Sequence, residues 1–206
     1  MQRFRFRFRL FPLGIFTMMF DPEKLRELIR EGCRGGYRML RREFTFEMRR
    51  LFLIFRVAAF GFIFRKDEDN PEPEYDYRVK VYKTRFFTRT VNTQKMEQIL
   101  NEGAEGGYEL FFAAKYPTRF LFIFPRESYM FFFRKPIAGE GGRYSYQVVQ
   151  VPYRFFTRTI DPNRYEQDLN THGRNAQLKL TFRDERRLFL IFVQPTAVCI
   201  FERKRE

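Results

Sequence analysis

Tryptophan is absent from the 206 residues, histidine occurs once and cysteine twice. One histidine and two thiols are too few for a metal site in each copy of the internal repeat. Cys33 and Cys199 also fall at unlike places in that repeat, so no repeated disulfide is read. Two isolated cysteines suit a reducing compartment, and a cytoplasmic protein is expected. No apolar run reaches the roughly 18–20 residues that span a bilayer as a helix, so no membrane partner is expected. The basic N-terminus alternates arginine with phenylalanine where a secretory segment would be continuously apolar, and no signal peptide is read. Lysine is scarce as well. Arginine supplies most of the 39 basic residues, and its planar fork binds anions and stacks on rings. What is abundant is phenylalanine, at 29 residues, and positive charge, at a formal +14. That charge argues for a polyanionic partner through long-range attraction.

Three segments align as helices: Asp21 to Gly32, Asn92 to Gly103 and Asp161 to Gly173. Each opens on Asp or Asn, whose side chain can hold the first free N–H groups. Two continue with Pro at the first helical position, where a missing donor costs nothing. Each closes near a Gly suited to the left-handed C-terminal conformation. Leu25, Leu28 and Ile29 match Met96, Ile99 and Leu100 at i, i+3, i+4, one apolar face that predicts a helix lying on a sheet.

A strand is predicted before each helix, at Phe4 to Phe11, Tyr77 to Tyr82 and Tyr146 to Val151. Two or three strands are predicted after it, in the second copy at Tyr108 to Ala114, Arg119 to Phe124 and Tyr129 to Lys135. The copies end alike, in Phe64-Arg65-Lys66, Phe133-Arg134-Lys135 and Glu202-Arg203-Lys204. The predicted fold is therefore α+β, three tandem β-α-β-β(-β) repeats, each an antiparallel sheet with one helix packed on it. The copies are expected to pack in a pseudo-threefold or side-by-side array. The boundaries run as repeat 1 at 1–66, an acidic linker at 67–76, repeat 2 at 77–138, a Gly-rich linker at 139–143 and repeat 3 at 144–206. The first repeat carries the largest local excess of positive charge.

The run Leu100-Asn101-Glu102-Gly103-Ala104-Glu105-Gly106-Gly107-Tyr108-Glu109-Leu110, followed by a strand ending Phe133-Arg134-Lys135-Pro136, resembles a family of short bacterial and phage domains of unknown function. Their pattern runs from a YxYxVV-like strand through a helix ending near GAEGWEL to a final strand near FKRP. Tyr144-Ser145-Tyr146-Gln147-Val148-Val149 resembles the opening strand. The first copy keeps Gly35-Gly36-Tyr37, whereas the third has Arg174-Asn175-Ala176-Gln177 at that place. The resemblance implies the fold and no activity.

No catalytic constellation is read, the chain is expected not to be an enzyme, and no cofactor or metal is expected. His172 lies near a helix C-terminus, where it suits the helix dipole. Neither cysteine has a base nearby in sequence. Asp184-Glu185, beside Arg183, Arg186 and Arg187, reads as a charged hairpin turn. Gly103 to Gly107 lacks the Lys-Ser/Thr of a phosphate loop and ends a helix instead of opening one, so it reads as a C-cap and turn.

Two candidate anion sites remain. Arg3, Arg5, Arg7 and Arg9 alternate with Phe4, Phe6, Phe8 and Leu10. In a strand this sets four guanidinium groups in a row, ~6.6–7 Å apart, over a row of buried rings. The same row could instead guard a sheet edge, or pair with Glu43 and Glu47. The repeated FFTRT segments put Arg85, Phe87 and Arg89 on one face, and Arg154, Phe156 and Arg158 on another. Phe87 and Phe156 would stack bases while the arginines hold phosphates. The functional expectation is a non-catalytic basic protein binding nucleic acid, as RNA or single strands. Two alternatives stand beside it. One is an assembly subunit burying Phe-rich sheets on a protein partner or a second copy. The other sequesters small phosphorylated ligands in a pocket lined by Arg89 or Arg158.

Overall fold

The computed structural model describes residues 3–12, 21–40, 45–51, 55–70, 73–84, 90–120, 124–154, 159–188 and 192–205. Its helices are α1 (Pro22–Cys33), α2 (Thr93–Ala104) and α3 (Pro162–Gly173). All three start where the sequence places them. The side chains of Asp21, Asn92 and Asp161 accept from the N–H groups of Glu23, Lys95 and Arg164 at 2.9, 3.0 and 3.3 Å. The C-termini differ from expectation. Gly32 and Gly103 lie inside their helices, and the positive φ angles fall on Gly35, Gly36, Gly106 and Gly107 in the turns that follow.

The first unit holds β1 (Phe4–Pro12), β2 (Arg38–Met39), β3 (Thr45–Leu51) and β4 (Phe55–Asp67), with β1 on one edge of β4 and β2 and β3 on the other. The second holds β5 (Tyr75–Lys83), β6 (Glu109–Phe120) and β7 (Phe124–Pro136), in the order β5-β7-β6. The third repeats this with β8 (Arg143–Pro152), β9 (Gln177–Leu188) and β10 (Phe192–Arg205), in the order β8-β10-β9. Every pairing is antiparallel. Where three strands were expected after α2 there are two long ones. Pairing runs from Glu109↔Arg134 through Pro117↔Glu127 to Phe120↔Phe124, so Glu109 to Ala114 shares one ribbon with Arg119, Phe120 and Phe124. Proline is tolerated there because the ribbon's far end has edges facing away from any third strand.

Register makes the copies comparable residue for residue. Arg7 lies opposite Phe64, Arg78 opposite Phe133, and Gln147 opposite Phe201. The equivalent of Phe133 is thus Phe201, and the sequence match of Phe133-Arg134-Lys135 to Glu202-Arg203-Lys204 runs one residue out. The last strand of the third copy keeps its aromatic where it meets the helix, not where the basic pair aligns.

The units stack side by side. One core joins Leu25 and Ile29 of α1, Phe60, Phe62 and Phe64 of β4, and Tyr77, Val79, Met130 and Phe132 of the next sheet. A second joins Met96 and Leu100 of α2, Phe131 and Phe133 of β7, and Tyr146, Val148, Val198 and Ile200 of the third sheet. The third core contains third-unit residues alone. Each of the first two helices therefore lies between its own sheet and the following one. The order of layers is sheet, α1, sheet, α2, sheet, α3. Phe131, Phe132 and Phe133 are all buried because β7 has a core on both faces, as expected for a two-sided strand. The run Leu51-Phe52-Leu53-Ile54-Phe55 reads in sequence as a two-sided core strand of the same kind, and its residues 52–54 lie outside the described residues.

Candidate functional site

Arg7 is committed inside the fold. Its Nη1 donates to the carbonyl oxygens of Glu31, Gly32 and Arg34 at 3.2, 3.0 and 3.1 Å. Its guanidinium sits 4.1 Å from the centre of the Tyr37 ring. Arg78 repeats this on Glu102, Gly103 and Glu105 at 3.3, 3.1 and 2.8 Å, over Tyr108 at 4.0 Å. The last carbonyls of a helix lack intrahelical donors and carry the negative end of its dipole, so a cation is well placed there. The ring holds the guanidinium flat against that end. The Gly103 to Gly107 segment is a helix end and turn, and it faces a cation.

Arg5 and Arg9 are also engaged through their guanidinium groups, and Arg3 through its backbone N–H. Arg5 pairs with Glu68 across the linker, the Arg3 N–H donates to Asp69 Oδ2 at 2.9 Å, and Arg9 Nη1 donates to the Phe8 carbonyl at 3.1 Å. The arginines share the face of β1 that carries Phe11, opposite Phe64, Phe62 and Phe60 on the helix side of the sheet. The expected sidedness is therefore inverted. The rings are not buried: Phe4, Phe6 and Phe8 are 38, 62 and 47% exposed. The reason is position in the stack. Their equivalents in the second sheet, Tyr75, Tyr77 and Val79, lie under α1, whereas among the described residues no helix covers this face of the first sheet. Arg65 lies 4.8 Å from the Phe4 ring, as Arg134 lies 4.7 Å from Tyr75. What the sequence pattern marked as an arginine site is thus, on its other side, an open aromatic face.

Of the FFTRT candidates, Arg154 is described. It donates through Nη2 to Asp161 Oδ2 at 2.7 Å and so braces the cap of α3. Asp161 is held below the usual carboxylate range, first by that hydrogen bond. Arg85, Phe87, Arg89, Phe156 and Arg158 lie outside the described residues, as does Glu43; the side chain of Glu47 does too. A cleft of about 1070 Å³ between the first two units is lined by Arg30, Arg34 and Lys135 but also by Glu31, Glu74 and Asp76. That mixed lining concentrates no positive potential for a phosphate.

Several polar groups that the sequence does not mark as sites hold the stack together. Asp76, from the acidic linker, accepts from Tyr108 Oη at 2.6 Å and Arg26 Nη2 at 3.3 Å, with Arg30 at 3.6 Å. Burial alone would raise its carboxyl, but these donors outweigh it and hold it low. Asp184 is not in a turn. It is buried in mid-strand, opposite Thr196, and accepts from the Val91 N–H at 3.2 Å and from Tyr129 Oη at 3.1 Å. Burial pushes its carboxyl up despite both bonds. Glu202 accepts from Tyr146 Oη at 2.7 Å and from Lys179 Nζ at 2.9 Å. His172 packs against Phe201 with ring centres 5.7 Å apart. Cys33 and Cys199 are unpaired, and burial pushes the Cys33 thiol up to about 11. Among the described residues no group of His, Cys, Asp and Glu could hold a metal ion, and no helix is long and apolar enough to cross a membrane.

Comparison of the chain with protein-family models, with curated proteins and with solved structures returns no match.

Proposed function

We propose that this chain is a non-catalytic assembly subunit whose first sheet buries its outer, aromatic face on a protein partner. One observation carries this: Phe4, Phe6 and Phe8 form an exposed row on an edge strand whose equivalents in the other two units are covered by a neighbour. Large exposed apolar patches rimmed by polar groups mark interaction surfaces. The engagement of Arg7 with helix carbonyls, and of Arg5 with Glu68, weakens the case for a phosphate-gripping row. The raised Cys33 thiol supports a non-catalytic role, since a thiol nucleophile works as the thiolate. The unpaired cysteines support a cytoplasmic location.

The same face favours a second reading. Aromatic side chains in a row beside arginine are how single-stranded nucleic acid is held, and the formal charge is +14. Size-exclusion chromatography of native extract separates the two. A protein-assembly subunit elutes in a complex that survives nuclease and added salt, and a Phe6→Glu, Phe8→Glu variant elutes as the free chain. Loss of the complex on nuclease treatment would make the nucleic-acid reading correct. An unchanged complex in the variant would remove this face from both.

A further inference from the structure

Resting on the assembly reading, we propose that the partner is a second copy of this chain, docked head to tail: the first sheet of one copy on α3 of the next. Within the chain this arrangement already occurs twice. In the second instance α2 grips the edge strand β8. Glu97 Oε2 accepts from the Val148 N–H at 3.1 Å. Asn101 Oδ1 accepts from the Tyr146 N–H at 2.8 Å, and its Nδ2 donates to the Tyr146 carbonyl at 3.1 Å. The corresponding positions of α3 are Glu166 and Asn170, the same two side chains one turn apart, both exposed. β1 is likewise an edge strand, and by register Phe6 and Phe8 occupy the positions of Tyr146 and Val148.

Charge chooses the same pairing. In the first internal junction Arg26 and Arg30 of α1 meet Asp76 at 3.3 and 3.6 Å. In α3 the place of Arg26 is taken by Glu166, and in β1 the place of Asp76 is taken by Arg5. The signs are exchanged on both sides, so attraction is kept. Arg5 is 68% exposed and able to meet a second carboxylate beside Glu68. β1 carries Arg5, Arg7 and Arg9 and no acid, while α3 carries Glu166 and Asp168 against Arg164. A face-to-face dimer of two first sheets would set Arg65, which lies over the Phe4 ring, against its own copy, and like charges in an interface disfavour it. The head-to-tail contact is heterologous, and repetition gives a ring if the rotation closes and a filament if it does not.

Sedimentation velocity on the purified full chain tests this. Wild type should form oligomers, of one fixed size if the ring closes and of a size that grows with concentration if it does not. Phe6→Glu should abolish association through the head, and Asn170→Arg through the tail. Both sites are exposed, so circular dichroism should stay that of wild type. Each variant alone should be a monomer, and an equimolar mixture should give a dimer that does not grow, because each keeps one intact surface. Arg5→Glu and Glu166→Arg should each weaken association, and the double variant should regain it. A wild type that stays monomeric, or an Asn170→Arg variant that still self-associates, overturns the proposal. A purified monomer that still enters a Phe6-dependent complex in extract overturns self-docking and leaves the assembly reading standing.

Discussion

The second and third units share a cap, a strand register and a helix length, but α2 closes on its sheet and α3 does not. α2 buries Met96, Leu100, Gly103 and Ala104; α3 buries no residue. Five positions in register differ where the helix meets its sheet, and α2 also lies between two sheets where α3 has its own alone. A Cβ built on Gly103 would stand 2.3 Å from the Phe133 ring, so the helix touches the sheet at a point where only hydrogen fits. The third unit has His172 there, and the imidazole spaces α3 away from Phe201. Arg78 becomes Gln147 and Tyr108 becomes Gln177, which removes the cation and its ring. Gly106-Gly107, at φ 77 and 90°, becomes Asn175-Ala176. Arg203 Nε, donating to the Asn175 carbonyl at 3.0 Å, is a partial substitute from another strand. Close helix approach is thus one device of several parts, and the third copy has lost them together.

The sharpest way to break the comparison is to put the third copy's residue into the second. Gly103→His forces a ring into the Phe133 contact, and overpacking of this kind costs about 3 kcal/mol. The midpoint of urea unfolding should fall accordingly. His172→Gly should move it far less, because α3 has no close contact to restore. Equal effects at the two sites would show that the difference in helix approach is not set at this position.

Arg78→Gln removes three charge-assisted hydrogen bonds to α2 carbonyls and the stacking on Tyr108. Bonds to a charged donor are worth about 1.5–3 kcal/mol in net terms, so a loss of about 2 kcal/mol is expected. The same change at Arg7 should act likewise through Tyr37. The reverse substitution, Gln147→Arg, should gain little, since Gln177 offers no ring. A stabilised Gln147→Arg variant, measured by thermal unfolding, would show the cation sufficient without the aromatic.

The repeat, the three caps and the helical faces were legible because they depend on neighbours in sequence: Asp21, Asn92 and Asp161 each act within three residues. The sidedness of β1 was not. Alternation of arginine and phenylalanine separates two faces but does not say which is covered, and in the first sheet the apolar face lies open while Arg7 turns inward to a helix end. Asp184 was missed for a similar reason. A charged cluster in a polar stretch looks like a turn, and only the packing of Val91 and Tyr129 from the second unit makes the site buried. The one-residue slip between Phe133 and Phe201 has no local signal, because the matching Arg-Lys letters favour the wrong register.

Asp184 sharpens the comparison at the junction of the two units. Its carboxyl is raised in the folded chain, chiefly by burial, above the roughly 3.9 of an unfolded Asp. The folded state therefore holds this proton more tightly. The stability it contributes is present in full below the unfolded value and is lost as pH rises through the folded one. Asp184→Asn cannot titrate. The difference in unfolding free energy between wild type and this variant should favour wild type most at the acid end and shrink as pH rises. A difference that grows with pH would mean the Val91 and Tyr129 bonds outweigh burial and the carboxyl is in fact lowered.

The smallest effect on the fold is expected at Arg5. Its pair with Glu68 is largely exposed, and exposed ion pairs contribute about 0–1 kcal/mol. Arg5→Gln should therefore leave the unfolding midpoint nearly unchanged, in contrast to Arg7→Gln two residues away on the same face. The contrast also decides between uses of the row. If Arg3, Arg5 and Arg9 held phosphates, replacing all three by Gln while leaving Arg7 in place would flatten the dependence of log affinity on log salt for a single strand by roughly 2 units, from ~0.7 per contact. With Arg7 capping α1 and the rings facing outward, no such change is expected, and the loss should fall instead on protein association through Arg5. A flattened slope with the fold intact would return the arginine row to nucleic acid.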